Sequence, residues 1–88
     1  MLIPVYLHSF KKEVEKANKR GLDLALLKEI MTKLIEEKSL GSKHRNHKLK
    51  GNFIGYWECH ITPDWLLVYK KDKERIYFAR TGTHSDLF

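Results

Sequence analysis

Phe53-Ile-Gly-Tyr-Trp-Glu-Cys-His-Ile61, Trp65-Leu-Leu-Val-Tyr-Lys70 and Arg75-Ile-Tyr-Phe-Ala-Arg80 follow one another, separated by Thr62-Pro63-Asp64 and Lys71-Asp72-Lys73-Glu74. Each run is rich in β-branched and aromatic residues, and each link is short and turn-forming. Links this short join antiparallel neighbours, because a parallel pair needs a long crossover. The stretch therefore predicts a β-meander.

Working back toward the start, Ile3 to His8 reads as an opening strand, with Pro4 placing it at a sheet edge. Ser9 is a candidate N-cap for a first helix, in which Phe10, Val14 and Ala17 recur at helical spacing before Gly21 stops it. Asp23 can cap a second helix running to about Lys38. Its pairs Leu26/Leu27, Ile30/Met31 and Leu34/Ile35 step by four and form one apolar stripe. The order β-α-α-β-β-β predicts an α+β fold, two N-terminal helices packed on one face of a mainly antiparallel four-stranded sheet. Both helices read as scaffold. A length of 88 residues fits one domain, residues 1–88.

Seventeen Lys and Arg against eleven Asp and Glu give a net charge of +6, which favours a polyanionic partner, either nucleic acid or an acidic protein segment. Cys59 is the single cysteine, so an intramolecular disulfide and a paired-cysteine zinc site are both excluded. The first residues lack a basic leader and a long apolar run, and no stretch is apolar enough to span a bilayer. The expectation is a cytoplasmic protein.

Residues 39–52 lose helical periodicity and crowd basic residues between Gly41 and Gly51, as a functional loop does. Four of the five histidines, His44, His47, His60 and His84, lie from this loop onward. Lys48 and Lys50 adjoin His47, Asp64 and Trp65 follow His60, and Arg80 and Phe88 flank His84. This set suits RNA cleavage by the substrate's own 2′-hydroxyl. His and Asp can exchange the protons, Arg and Lys can neutralise the crowded phosphate, and Trp and Phe can stack on bases. The same residue types also have plainer uses. His60 can be a sheet histidine, Asp64 a turn residue, Trp65 core, and Cys59 a small buried hydrophobe. His44-x-x-His47 with His60 and His84 lacks a carboxylate or thiolate at a recognised ligand spacing, so no metal and no other cofactor is expected.

Three segments carry a family resemblance: His47-Lys-Leu-Lys-Gly51, Glu58-Cys-His-Ile-Thr-Pro-Asp-Trp-Leu-Leu-Val-Tyr69 and Arg80-Thr-Gly-Thr-His-Ser-Asp-Leu-Phe88. Together they resemble the signature of YafQ-type toxins, of the RelE/ParE superfamily of type II toxin–antitoxin systems. The resemblance spans essentially the whole chain and implies a RelE-like fold. It also implies an endoribonuclease that cuts mRNA in the ribosomal A site, is monomeric when free, and is silenced by a co-expressed antitoxin with an acidic or amphipathic segment. It assigns the active surface to His47, His60, Asp64, Arg80 and His84, with Trp65 and Phe88 as the accompanying aromatics. Lys48 and Lys50 read as RNA-facing. One position departs from the pattern: Trp57 stands where many relatives carry Arg, which predicts the loss of a cation near the phosphate. That departure keeps a second reading open, an RNA- or ribosome-binding inhibitor that blocks translation without cutting. A gyrase-poisoning toxin on the same scaffold ranks third, because those toxins generally lack the histidine-rich surface.

Overall fold

A computed structural model describes residues 1–88. The elements are β1 (Ile3–Tyr6), α1 (His8–Lys19), α2 (Leu24–Ile35), β2 (His47–Lys48), β3 (Trp57–Thr62), β4 (Trp65–Lys71), β5 (Arg75–Gly82) and α3 (His84–Leu87). The sheet order is β1-β5-β4-β3-β2. The meander is antiparallel as expected, and β1 joins it parallel to β5 at the edge, with Pro4 opposite Ile76. Asp72 pins the second turn by accepting from the backbone N–H groups of Glu74 and Arg75, both at 2.8 Å.

The sheet has five strands rather than four, because the basic loop contributes β2, where His47 pairs with Glu58 and Lys48 with Trp57. The expected strand from Phe53 starts four residues later, at Trp57. Gly51 (φ 64°) and Gly55 (φ 92°) adopt left-handed backbone, and the chain between them is a 3₁₀ turn over Gly51–Phe53. His8 belongs to α1 rather than to the opening strand. Ser9 does not cap α1; its hydroxyl donates instead to the carbonyl of Ala79, at 2.9 Å. Asp23 does cap α2, accepting from Ala25 N–H at 3.0 Å, but the helix ends at Ile35 rather than Lys38.

Both long helices cover one face of the sheet. Phe10 and Ala17 of α1, with Leu27, Ile30 and Leu34 of α2, pack on Cys59, Leu67, Tyr69, Ile76 and Phe78. Each large apolar side chain buried this way contributes about 1.5–3 kcal/mol. The opposite face, the open face, carries a smaller apolar patch of Leu66 and Val68 under Leu87. Parity in β5 changes between the two. Tyr69 pairs with Phe78 but Val68 pairs with Arg80, so Ala79 is an extra residue in the strand. This bulge resets the alternation. Phe78 faces the helices and Arg80, two residues on, faces the open side.

Candidate active site

The registers arrange the open face in rows. His47, Glu58, Val68 and Arg80 lie side by side across β2, β3, β4 and β5. The next row holds His60, Leu66 and Gly82. Beyond Gly82 the chain turns back over this face. Thr83 caps α3 reciprocally with Asp86: Asp86 N–H donates to Thr83 Oγ1 at 3.2 Å, and Thr83 N–H donates to Asp86 Oδ2 at 3.0 Å. Gly82 leaves the necessary room, since a Cβ there would lie 3.0 Å from Asp86. Leu87 then buries against Leu66 and Val68.

This fold-back brings the tail to the histidines. The rings of His84 and His60 lie 6.1 Å apart, as do those of His84 and Phe88. Phe88 meets Phe53 edge to face at 5.0 Å and stays 53% exposed, so one side of its ring remains open to a base. His47 and His60 converge on Glu58, whose Oε1 lies 3.5 Å from Nε2 of the first and 3.9 Å from Nε2 of the second. The other ring nitrogen of each histidine faces a backbone carbonyl, that of Arg45 for His47 and that of Pro63 for His60. A carbonyl only accepts, so these contacts favour the tautomer with Nδ1–H in each ring and turn Nε2 toward Glu58. Below them, buried His44 holds the carbonyl of His60 through Nδ1 at 2.6 Å. It is a strut, not an open ligand.

Glu58 is the residue that reading for functional side chains missed. It is 4% exposed and sits at the centre of the row. Its signal was in the sequence: Glu58 and His60 are two apart on a strand, so they share a face. Glu13 was missed as well, since nothing in the helical pattern sets it apart from the other charged residues of α1. Both of its carboxylate oxygens grip Arg80, accepting from Nε at 2.9 Å and from Nη2 at 2.8 Å, and Oε1 also accepts from Thr81 N–H at 3.2 Å. This pairing holds the guanidinium protonated beyond its ordinary range and fixes the plane of its fork.

Not every expected site residue joins this cluster. Trp65 is 2% exposed in the helix-side core, and its Nε1–H donates to Thr81 Oγ1 at 2.9 Å. A ring so enclosed cannot stack on RNA, so its assignment as an RNA-binding residue is corrected to core. Asp64 is exposed in the β3–β4 turn and lines a different hollow, of about 270 Å³, with Lys16, Arg20, Thr83 and Asp86. Lys48 and Lys50 are exposed, but Lys48 pairs with Trp57 and its ammonium lies over that ring, on the side away from the histidine row. Cys59 is wholly buried, and burial, then the charge of Glu58, pushes its thiol up to about 12. It is no nucleophile.

Trp57, the departure from the family pattern, points to the helix side. It pairs with Tyr69 and stacks on it at 6.4 Å, on the face opposite Glu58. The ammonium groups of Lys48 and Lys71 lie 5.5 and 6.0 Å from its ring. Arg at this position would not have lain in the row of His47, Glu58 and Arg80.

Comparison with known proteins agrees with this architecture. Residues 3–88 match a family described as bacterial toxin of type II toxin–antitoxin system, YafQ. The mRNA interferase toxin YafQ of Escherichia coli K12 is 40% identical over 84 residues, which is 94% of this chain and 91% of that protein. In the crystal structure of the E. coli DinJ–YafQ toxin–antitoxin complex, one chain is 39% identical with a TM-score of 0.92, over 99% of this chain and 97% of that one. A metal-bound toxin from Helicobacter pylori is 38% identical with a TM-score of 0.94, over the full length of both chains.

Proposed function

The chain belongs to the YafQ family of toxins from type II toxin–antitoxin systems, and from that membership we propose that it is an endoribonuclease that cleaves ribosome-bound mRNA on the open face of its sheet. The observation that carries this reading is that His47 and His60 converge on Glu58, His84 lies beside His60, and a clamped Arg80 stands in the row of Glu58 two strands away. A 2′-hydroxyl attacks the adjacent phosphorus and gives up its proton to an imidazole Nε2, with Glu58 beside it to receive the resulting N–H. Arg80 offsets the added charge on phosphorus. The P–O5′ bond breaks, and a second imidazole, that of His84 on the tail, protonates the departing oxygen. The products are a 2′,3′-cyclic phosphate and a free 5′-hydroxyl, so atoms and protons balance without a metal or cofactor. Asp64, outside the cluster, acts on the bound RNA from the rim of the turn, and Phe88 stacks on a base next to the cut.

The toxin acts as a monomer in the cytoplasm, and no helix is long and apolar enough to cross a membrane. Its protein partner is an antitoxin, as DinJ is for the E. coli relative, and an acidic or amphipathic segment suits the net charge of +6. Purified protein added to translating ribosomes should yield cut message, and His84→Ala should slow cutting by about 10²–10⁴-fold. Intact message beside stalled synthesis would replace cleavage with blocking. Because a Helicobacter relative has been crystallised with metal, the same assay is run with a chelator. An unchanged rate supports the acid–base route, and loss restored by zinc or copper would overturn it.

A further inference from the structure

The row next to the catalytic one is unused by that mechanism. Lys70 pairs with Tyr77 across β4 and β5, and Tyr56, which directly precedes β3, completes the row. The ammonium group of Lys70 lies 5.3 Å from the ring of Tyr56 and 5.4 Å from that of Tyr77. None of the fold's ion pairs involves Lys70. A cation is thus held between two partly exposed rings on the open face, with its charge uncompensated. The row lies two residues along β3 and β4 from Glu58 and Val68, a step of roughly 6.6–6.8 Å, and three along the bulged β5 from Arg80. Beside Tyr56 opens a groove of about 280 Å³ over Phe53, Val68 and Ala79, bounded by Arg80, exposed Asn52 and, where the chain enters α1, Leu7 and Ser9.

A step of that size matches successive phosphates of an extended single strand, and aromatic rings alternating with cations are how proteins hold such strands. We propose that Tyr56, Lys70, Tyr77 and the groove form a second nucleotide subsite. It takes the base and phosphate of single-stranded RNA adjoining the scissile phosphate. Arg80 serves the cut phosphate and Lys70 the next one, while the groove accepts the intervening base, with the Asn52 amide able to meet its edge. The proposal rests on the RNA-cleaving reading of the open face, and an acidic antitoxin segment is the rival occupant of the row.

The test uses the full isotope-labelled chain, titrated by NMR with a short 2′-O-methyl oligoribonucleotide, which lacks the attacking hydroxyl and cannot be cut. Shifts at Asn52, Tyr56 and Tyr77, together with those at His84, are expected. Lys70→Gln should weaken binding about five-fold and flatten the slope of log K against log salt by roughly 0.7, the contribution of one phosphate contact to a single strand. Lys70→Arg should restore both. Shifts confined to the histidine rows, or equal affinity of the Gln variant, would overturn the subsite. So would an acidic peptide that moves these residues when RNA does not. The ribosome assay is read separately: binding across both rows without any cutting overturns the cleavage reading alone, and cutting with an unmoved Lys70 row overturns this one alone.

Discussion

Replacing Glu13 with Ala tests whether helix α1 builds the site or merely supports the sheet. The carboxylate makes two charge-assisted bonds to Arg80 and one to Thr81 N–H. Bonds to charged groups reach about 1.5–3 kcal/mol each, but Arg80 keeps a third of its side chain in water (34%), so the ion pair is taken at about 1 kcal/mol. Thr81 is 2% exposed, and leaving its N–H without an acceptor adds about 1–3 kcal/mol. Glu13→Ala should therefore lose about 2–4 kcal/mol in denaturant or thermal unfolding. At about 4–8 °C per kcal/mol for a domain this size, the melting temperature falls by 8 °C or more. Glu13→Gln keeps an acceptor for Thr81 and should lose about half as much. In the cleavage assay, carried out below the lowered melting temperature, Glu13→Ala should slow cutting at saturating substrate. Adding it to Arg80→Ala should slow that variant no further, because the carboxylate acts through the guanidinium. A loss of stability under about 0.5 kcal/mol, or full additivity of the two substitutions, would refute the reasoning.

Other outcomes follow from the same structure. Cys59, buried and pushed up to about 12, should resist iodoacetamide at neutral pH in the folded chain and react once the chain is unfolded; brisk labelling of the native protein would contradict its burial. Asp86 is held below the usual carboxylate range by Arg20, then by the backbone of Thr83. A depressed carboxyl pKa adds stability that is present above the unfolded value and lost as pH falls through the folded one. Melting temperatures followed downward from about pH 4 should thus fall more steeply for the wild type than for Asp86→Asn, and parallel profiles would dismiss the Arg20 contact as a source of stability. Affinity for an acidic antitoxin segment, measured by calorimetry, should weaken as salt rises, and a salt-independent constant would indicate a mainly apolar contact.

The fold was largely legible because its decisive signals are local. Short links between β-rich runs allow only a meander, and the apolar stripe of α2 selects one face for the helices. What escaped reading depends on partners distant in sequence. β2 is two residues long and exists only because Glu58 and Trp57 stand opposite it. The start of β3 was misplaced because Gly51 and Gly55 turn the chain on either side of Phe53 and Ile54, while the composition from Phe53 onward still favours a strand. Residue chemistry and family resemblance together named His47, His60, Arg80, His84 and Phe88, which the fold brings to one face. Trp65 was not, since an indole that closes a core and one that stacks on RNA look alike in sequence. Glu13, 67 residues from Arg80, left no mark in the sequence that chemistry alone could read.

Arg80 shows why a strict alternation rule would have failed at the site itself. Ile76, Phe78 and Arg80 are two apart, and unbroken pleating would send all three toward the helices. An arginine there would have to be buried against the core of α1 and α2. The single extra residue at Ala79 reverses this, and it does so where β1 has already ended opposite Phe78. From that point the exposed edge of β5 is closed by α1: Ser9 bonds Ala79 O and Glu13 bonds Thr81 N–H. The bulge supplies the direction of Arg80, and the helix that closes the edge supplies the carboxylate that orients its fork. The geometry of the proposed site and edge protection are thus one arrangement, so substitutions that regularise the strand should remove Arg80 from the open face without touching a histidine.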